Sequence, residues 1–258
     1  MKKAHLPSWL WPKAGAPLER FGRNHDGGYL VDRRCVADTK KLVSFGLWTD
    51  WSFEADFLSQ NDVPLAAYDG SISPQVLLHQ ILQPAGRLHV RTTLRAIRTL
   101  VSYSLFFRPA HRTHHRAFVG HESGPNWVTP DAVFASELPA KQDRAFLKID
   151  IEGSEYDVLD GILAIADRLE GLVIEFHDLA DHLSDVHHFV DRLPLHLCHT
   201  HICNFGIVTK QGVPTVIECS FTRHPLETRR VEHLPHPLDQ PNSTERPDID
   251  VATEASVS

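Results

Sequence analysis

The sequence predicts a three-layer α/β sandwich, built on a mostly parallel seven-stranded sheet with a C-terminal antiparallel strand pair. Three observations predict it. Apolar runs and amphipathic stretches alternate along the chain, as in repeated strand–helix units. The runs are continuously apolar rather than alternating, as in parallel strands buried on both faces. The last two runs are joined by CNFGIVTKQGV, 203–213, in which no helix fits, so they pair antiparallel.

Each element follows from local pattern. KLVSFGL at 41–47 reads as the first strand, and WSFEADFLSQ at 51–60 as a helix with Phe53, Phe57 and Leu58 at helical spacing. VPLAAYDG at 63–70 is the second strand. SPQVLLHQIL at 73–82 is a helix, with Ser73 as cap and Pro74 in its first turn. HRAFVGHE at 115–122 is expected as the third strand, TPDAVFASEL at 129–138 as a short helix, and AFLKIDIE at 145–152 as the fourth strand. Val158, Leu159, Ile162, Leu163, Ala166 and Leu169 then form one apolar stripe of a helix. GLVIEFHD at 171–178 is the fifth strand. DHLSDVHHFVDRL at 181–193 is a helix, and LHLCHTHI at 195–202 and PTVIECSF at 214–221 close the sheet.

Composition narrows the class. The chain has 258 residues, 42% of them apolar, enough for one sizeable core. A formal net charge of −7 without a long basic stripe argues against binding nucleic acid. RPAHRTHHR at 108–116 reads as a solvated loop, with contact to an acidic ligand as the alternative. The four cysteines show no CxxC spacing, so buried reduced thiols are expected. The N-terminus lacks the apolar core of a signal peptide, and no stretch, LVSYSLFF at 100–107 included, is long enough to span a membrane. A soluble, cytoplasmic protein is expected: an N-terminal extension over 1–19, a domain over 20–222, and a Pro-, His- and acid-rich tail over 223–258, mostly disordered.

Polar residues collect where the strands end, which is where ligands of such sheets bind. Gly46 follows the first strand, either as a plain turn or to let backbone approach a ligand. Asp69 follows the second, about twenty residues on, placed to accept hydrogen bonds from a ribose diol or to cap a turn. Together they suggest an adenosine-bearing cofactor. After the fourth strand, Asp150 and Glu152 stand two apart and so on one face, where like charges need a cation, a donor or a raised pKa. Gly153 gives a sharp exit and Ser154 a helix cap. The fifth strand adds Glu175 and His177; the sixth adds His199 and His201, followed by Asn204. Buried structural networks are the alternative for part of this set.

FLKIDIEGSEYDVLDG, 146–161, resembles the signature of FkbM-type methyltransferases. Flanking features resemble a branch of the same superfamily: DGGY at 26–29 preceded by Arg23, SFG at 44–46, SFE at 52–54, a late EFH, and H-x-H-x-x-N-x-G before the last strand. The resemblance spans about residues 20–222 and implies a Rossmann-like class I methyltransferase sandwich using S-adenosylmethionine. It implies that Ser44, Phe45 and Gly46 approach the methionine part, with Glu54 in the same wall. Asp69 and Gly70 would meet the ribose, and His121 and Glu122 the adenine. Asp150 and Glu152 would lie beside the transferable methyl. The chain departs from the family's glycine run, with Leu47 and Trp48 following Gly46. The implied reaction is O-methylation of a hydroxylated acceptor such as a sugar, glycan or natural product. Candidate bases are Asp150, Glu152, His177 and His201, and the alternative is a divalent metal at Asp150, Glu152 or Glu175. Asp26 to Tyr29 would form a lid or a hairpin turn. Arg108, Arg112 and Arg116 would meet a phosphate of a nucleotide sugar. Two other classes stay open: a metal-dependent hydrolase using the same cluster, and a non-catalytic cofactor-binding module.

Overall fold

In the computed structural model of the chain, residues 3–82, 89–121 and 124–252 are described. The seven sheet strands are β1 (Lys41–Phe45), β2 (Leu65–Tyr68), β3 (Arg112–His115), β4 (Ala145–Ile149), β5 (Leu169–Phe176), β6 (His196–Ile202) and β7 (Ile217–Thr222). Their order is β6-β7-β5-β4-β1-β2-β3. All neighbours are parallel except β7, which runs antiparallel to both β5 and β6. The helices are α1 (Arg33–Asp38), α2 (Ser52–Gln60), α3 (Pro74–Leu82), α4 (His89–Phe106), α5 (Pro130–Glu137), α6 (Leu159–Ile165) and α7 (Leu183–Arg192).

The order places a switch point at the centre. The chain builds outward from β1 to β2 and β3, then crosses back to lay β4 on the other side of β1. The crossovers on the two sides diverge there and leave a crevice beyond the carboxyl ends of β1 and β4. Successive side chains of β4 feed opposite layers, as the two-residue strand period requires. Phe146 packs with Phe53 and Phe57 of α2, while Leu147 and Ile149 join the layer of α5, α6 and α7. All residues of β4 and β5 are buried, the reason both read as largely apolar runs, with Lys148, Glu170 and Glu175 the charged exceptions. Helix α5 begins as its sequence indicates, with Thr129 accepting from the Ala132 N–H and Pro130 in the first turn. All four cysteines are buried free thiols.

Three features depart from expectation. The third sheet strand is RTHH, 112–115, not 115–122; Phe118–Val119 pairs instead with Trp127–Val128 outside the main sheet. An edge strand has one partner and needs no two-faced apolar run, so periodicity points past it to the apolar residues that follow. RPAHRTHHR is therefore not simply a solvated loop. Helix α4, ending in the LVSYSLFF stretch, was not anticipated either.

Residues 223–252 also differ from the disorder expected of them. They form little regular structure but pack on the domain: Val251–Ala252 pairs with Ala4–His5. The Asn204 amide donates to the carbonyls of Ser243 and Arg246, while His199 and His201 meet Asp239 and Asp248 at 3.0 and 3.1 Å. The tail lacks apolar periodicity, so its composition gave no sign of these polar partners on and after β6. Residues 253–258 lie outside the described set.

Candidate active site

A cavity of about 700 Å³ opens beyond the carboxyl ends of β1, β2, β4 and β5, a size usual for small-molecule sites. Its first wall is the turn after β1. Gly46 has φ 82°, and a Cβ there would lie 1.7 Å from the Asp150 carbonyl oxygen, so the β1 and β4 exits touch and only glycine fits. Asp69 organises the rest of that turn. One carboxylate oxygen accepts from the N–H groups of Leu47 and Trp48 at 2.8 and 2.6 Å, the other from Ser71 N–H and O–H at 2.6 and 2.5 Å. Burial opposes ionisation of Asp69, but the Ser71 hydroxyl and the backbone donors outweigh it and hold the carboxyl below its ordinary range. Trp48, at φ 43° and 70% exposed, is presented at the rim.

Beneath this wall, Ser44 donates to Glu54 at 2.5 Å. Lys148 is buried in β4, donates to the Gly46 carbonyl at 2.6 Å, and lies 3.7 Å from Asp150 and 5.9 Å from the Tyr29 ring centre. Burial pushes the Glu54 carboxyl up, and the Lys148 charge opposes that.

The opposite wall holds the polar cluster. Tyr29, which starts the return strand of the 18–32 hairpin, donates toward Asp150 at 3.0 Å and Glu175 at 3.2 Å. Asp26 and Gly27, in the turn of that hairpin, line the cavity, so DGGY is both a hairpin segment and part of the site. Burial, then the charges of Asp150 and Glu218, hold the Glu175 carboxyl well above its ordinary range. Burial, then Asp150 and Glu175, also raise the Tyr29 hydroxyl. His177 donates through Nδ1 to Glu155 at 3.0 Å, with Nε2 3.5 Å from Glu152 and 3.8 Å from Glu175. Burial disfavours its charge, but the Glu155 hydrogen bond and the surrounding carboxylates raise the imidazole to about 9. It is an imidazolium at neutral pH.

The cavity thus gathers Gly46, Glu54, Asp69, Asp150, Glu152, Glu175 and His177. The strand period does not explain Glu152: β4 has already ended, and the turn at φ 55° brings this exposed side chain back to His177. Glu155, not Ser154, closes the turn, accepting from the N–H groups of Ile151 and Gly153; Ser154 makes no capping bond. The remaining candidates lie outside the lining of the cavity among the described residues. Ser44 and Phe45 are buried below the cavity. Gly70 lies against the Phe118 ring. His121 is 74% exposed beside Asp157, because the strand ends at His115, six residues earlier. Glu122 lies outside the described residues. His201 is buried between Glu218 and Asp248, and β6 is separated from β5 by β7, so it does not reach the cavity. Arg112 pairs with Asp62 at the amino end of β2, while Arg116 bonds Gln75 and Arg108 is exposed before β3, so the three form no single anion site. The arginines that line the cavity are Arg23 and Arg95.

Lys148 was read only as part of an apolar run, although a lone cation inside a buried strand is itself a signal. Phe118, Trp127 and Phe205 at the rim carry no such signal. Ligand atoms of Asp150, Glu152 and His177 lie within 4.8 Å of one another. A ligating histidine must be neutral. Here the carboxylates around His177 raise its imidazole, so a divalent ion at this trio would have to displace that proton.

Residues 97–199 match the family model described as the methyltransferase FkbM domain. No curated protein matches the chain. Among solved structures, a precorrin-6y C5,15-methyltransferase from Geobacter metallireducens is 10% identical, over 73% of this chain and 86% of that one, with a TM-score of 0.35. Spermidine synthase from Thermotoga maritima is 11% identical, over 75% of this chain and 56% of that one, at 0.41. Likeness this distant carries no functional weight. Residues 97–199 are thus similar to the FkbM methyltransferase domain, and they lie within a mostly parallel, seven-stranded α/β sheet.

Proposed function

We propose that the protein transfers a methyl group from S-adenosylmethionine to a hydroxyl of a small polar acceptor, such as a sugar, glycan or natural product. The observation that carries this is the single cavity joining Gly46 and Asp69 at one wall to Asp150, Glu175 and His177 at the other. S-adenosylmethionine supplies an electrophilic methyl group when bound, and displacement at that carbon needs alignment more than covalent help.

The chain's own groups divide the remaining work. The Gly46 turn brings bare backbone to the cavity, and Asp69 holds the Leu47 and Trp48 amides in place. Asp150, on the cavity wall with Tyr29 bonded to it, takes the acceptor's proton. His177 holds its own proton, which makes it a donor and a positive charge rather than the base. Glu175, whose carboxyl is held above its ordinary range, is a second polar group on the same wall. Trp48, Phe118, Trp127 and Phe205 supply apolar edges that exclude water. The catalytic unit is residues 20–222, and four buried thiols suit a reducing, cytoplasmic compartment.

Calorimetric titration with S-adenosylmethionine and S-adenosylhomocysteine, with and without EDTA, tests the reading. Binding unaffected by EDTA supports it. A chain that binds a divalent metal and ignores both sulfur compounds is a hydrolase candidate instead. A chain that binds them but yields no S-adenosylhomocysteine with any hydroxylated acceptor is a binding module.

A further inference from the structure

The segment between Asp69 and the second pair of short strands has an unusual charge balance. Residues 70–121 contain seven arginines and no lysine, aspartate or glutamate, in a chain of formal net charge −7. Most of this segment is α3, α4 and β3. Helix α4 has two apolar sides. Ala96, Tyr103 and Phe106 face the core, where Tyr103 and Phe106 meet the Trp51 ring at centroid distances of 5.9 and 6.2 Å. Leu94, Ile97, Val101 and Leu105 are instead 40–62% exposed. At 3.6 residues per turn these four fall within about 80° of arc, one continuous stripe along the helix. Val76 and Leu78 of the adjoining α3 are exposed as well. Arg98 and Arg95 follow the stripe along one side, and neither forms an ion pair among the described residues.

We infer that the α3–α4 face docks on an anionic membrane surface, with α4 lying in the interface plane. An aliphatic stripe edged by arginines is the pattern of interfacial helices, which combine shallow apolar burial with attraction to anionic lipids. Two other occupants fit less well. Nucleic acid would engage the arginines but leave Leu94, Ile97, Val101 and Leu105 without partners of their kind. A second copy of this chain would bring the same acid-free face against itself, and like charge would oppose the pairing. No described helix is long and apolar enough to cross a membrane, so the contact is peripheral. Arg95 also lines the cavity, so the first turns of α4 border its mouth and docking sets that mouth beside the lipid surface. On the methyl-transfer reading, the acceptor is then one carried at or near that surface; the docking itself does not depend on that reading.

The test is sedimentation of the full chain with vesicles of phosphatidylcholine alone, or mixed equally with phosphatidylglycerol. The wild type is compared with a Val101→Glu, Leu105→Glu variant, whose changed side chains are 53% and 62% exposed in the wild type. The wild type should bind the mixed vesicles, release them at high salt, and ignore the neutral ones. The variant's partition coefficient should fall at least about tenfold, while its circular dichroism and S-adenosylhomocysteine affinity stay those of the wild type. Equal binding by both proteins, or no binding to mixed vesicles, overturns the inference. So does a wild-type dimer in solution that the variant dissociates, or an RNA that displaces the vesicles and binds both proteins alike. Sulfur-ligand binding is measured in the same samples, so failure to dock and failure of the methyltransferase reading are separately visible.

Discussion

Replacing His177 with glutamine should remove a pH-dependent part of the protein's stability. His177 is 17% exposed and bonded to Glu155, whose side chain is fully buried. Its imidazole is raised from an ordinary 6.5 to about 9. At ~1.4 kcal/mol per tenfold change in proton affinity, that rise corresponds to about 3 kcal/mol. The folded pKa lies above the unfolded one, so the contribution is fully present below 6.5 and is lost as pH rises through about 9. Urea unfolding of wild type and His177→Gln on both sides of this window gives the difference. The variant should be less stable by about 3 kcal/mol at the acid end and nearly equal at the alkaline end. Other groups titrate in both proteins and cancel in the comparison. Parallel pH profiles, or an NMR titration placing the His177 midpoint near 6.5, would refute the assignment of an imidazolium held by carboxylates.

Three other outcomes follow from the geometry. Gly46→Ala forces a left-handed alanine into the Asp150 carbonyl, and should lower the melting temperature by about 6–12 °C, the equivalent of about 3 kcal/mol, and abolish S-adenosylhomocysteine binding; an unchanged melting curve contradicts the contact between the β1 and β4 exits. Asp150→Asn should reduce kcat at least about 100-fold while changing S-adenosylhomocysteine affinity only a few-fold; retained turnover would move the base elsewhere. His201→Gln should leave the carboxylates of Glu218 and Asp248 without their cation and open residues 223–252 to limited trypsin digestion. Burial disfavours the His201 charge, but those carboxylates hold its pKa well above 6.5, so the wild-type tail should be protected in acid and loosen as pH rises through the folded value. Identical digestion of wild type and variant across that range would mean the tail is held by other contacts.

The sequence by itself determined the sheet and which polar residues stand at its central edge. Strands buried on both faces are largely apolar, and β1, β4 and β5 could be read from that pattern. Gly46, Asp69, Asp150 and His177 were legible because chain order puts strand ends at a switch point, and polar residues at the end of an apolar run stand out. Tertiary structure decided what local pattern cannot encode. The edge strand at 112–115 takes its register from β2 rather than from its own hydropathy. His201 looks like the other strand-end histidines, but β7 inserts between its strand and the site, and Glu218 with Asp248 claims its ring. Proton positions were likewise invisible in the linear chain. Glu152 and Glu155 of the turn after β4, with Glu175 of β5, crowd His177 toward its charged form at distances of 3–4 Å, although Glu152 lies 25 positions away in the chain, and burial beside Asp150 raises the Glu175 carboxyl.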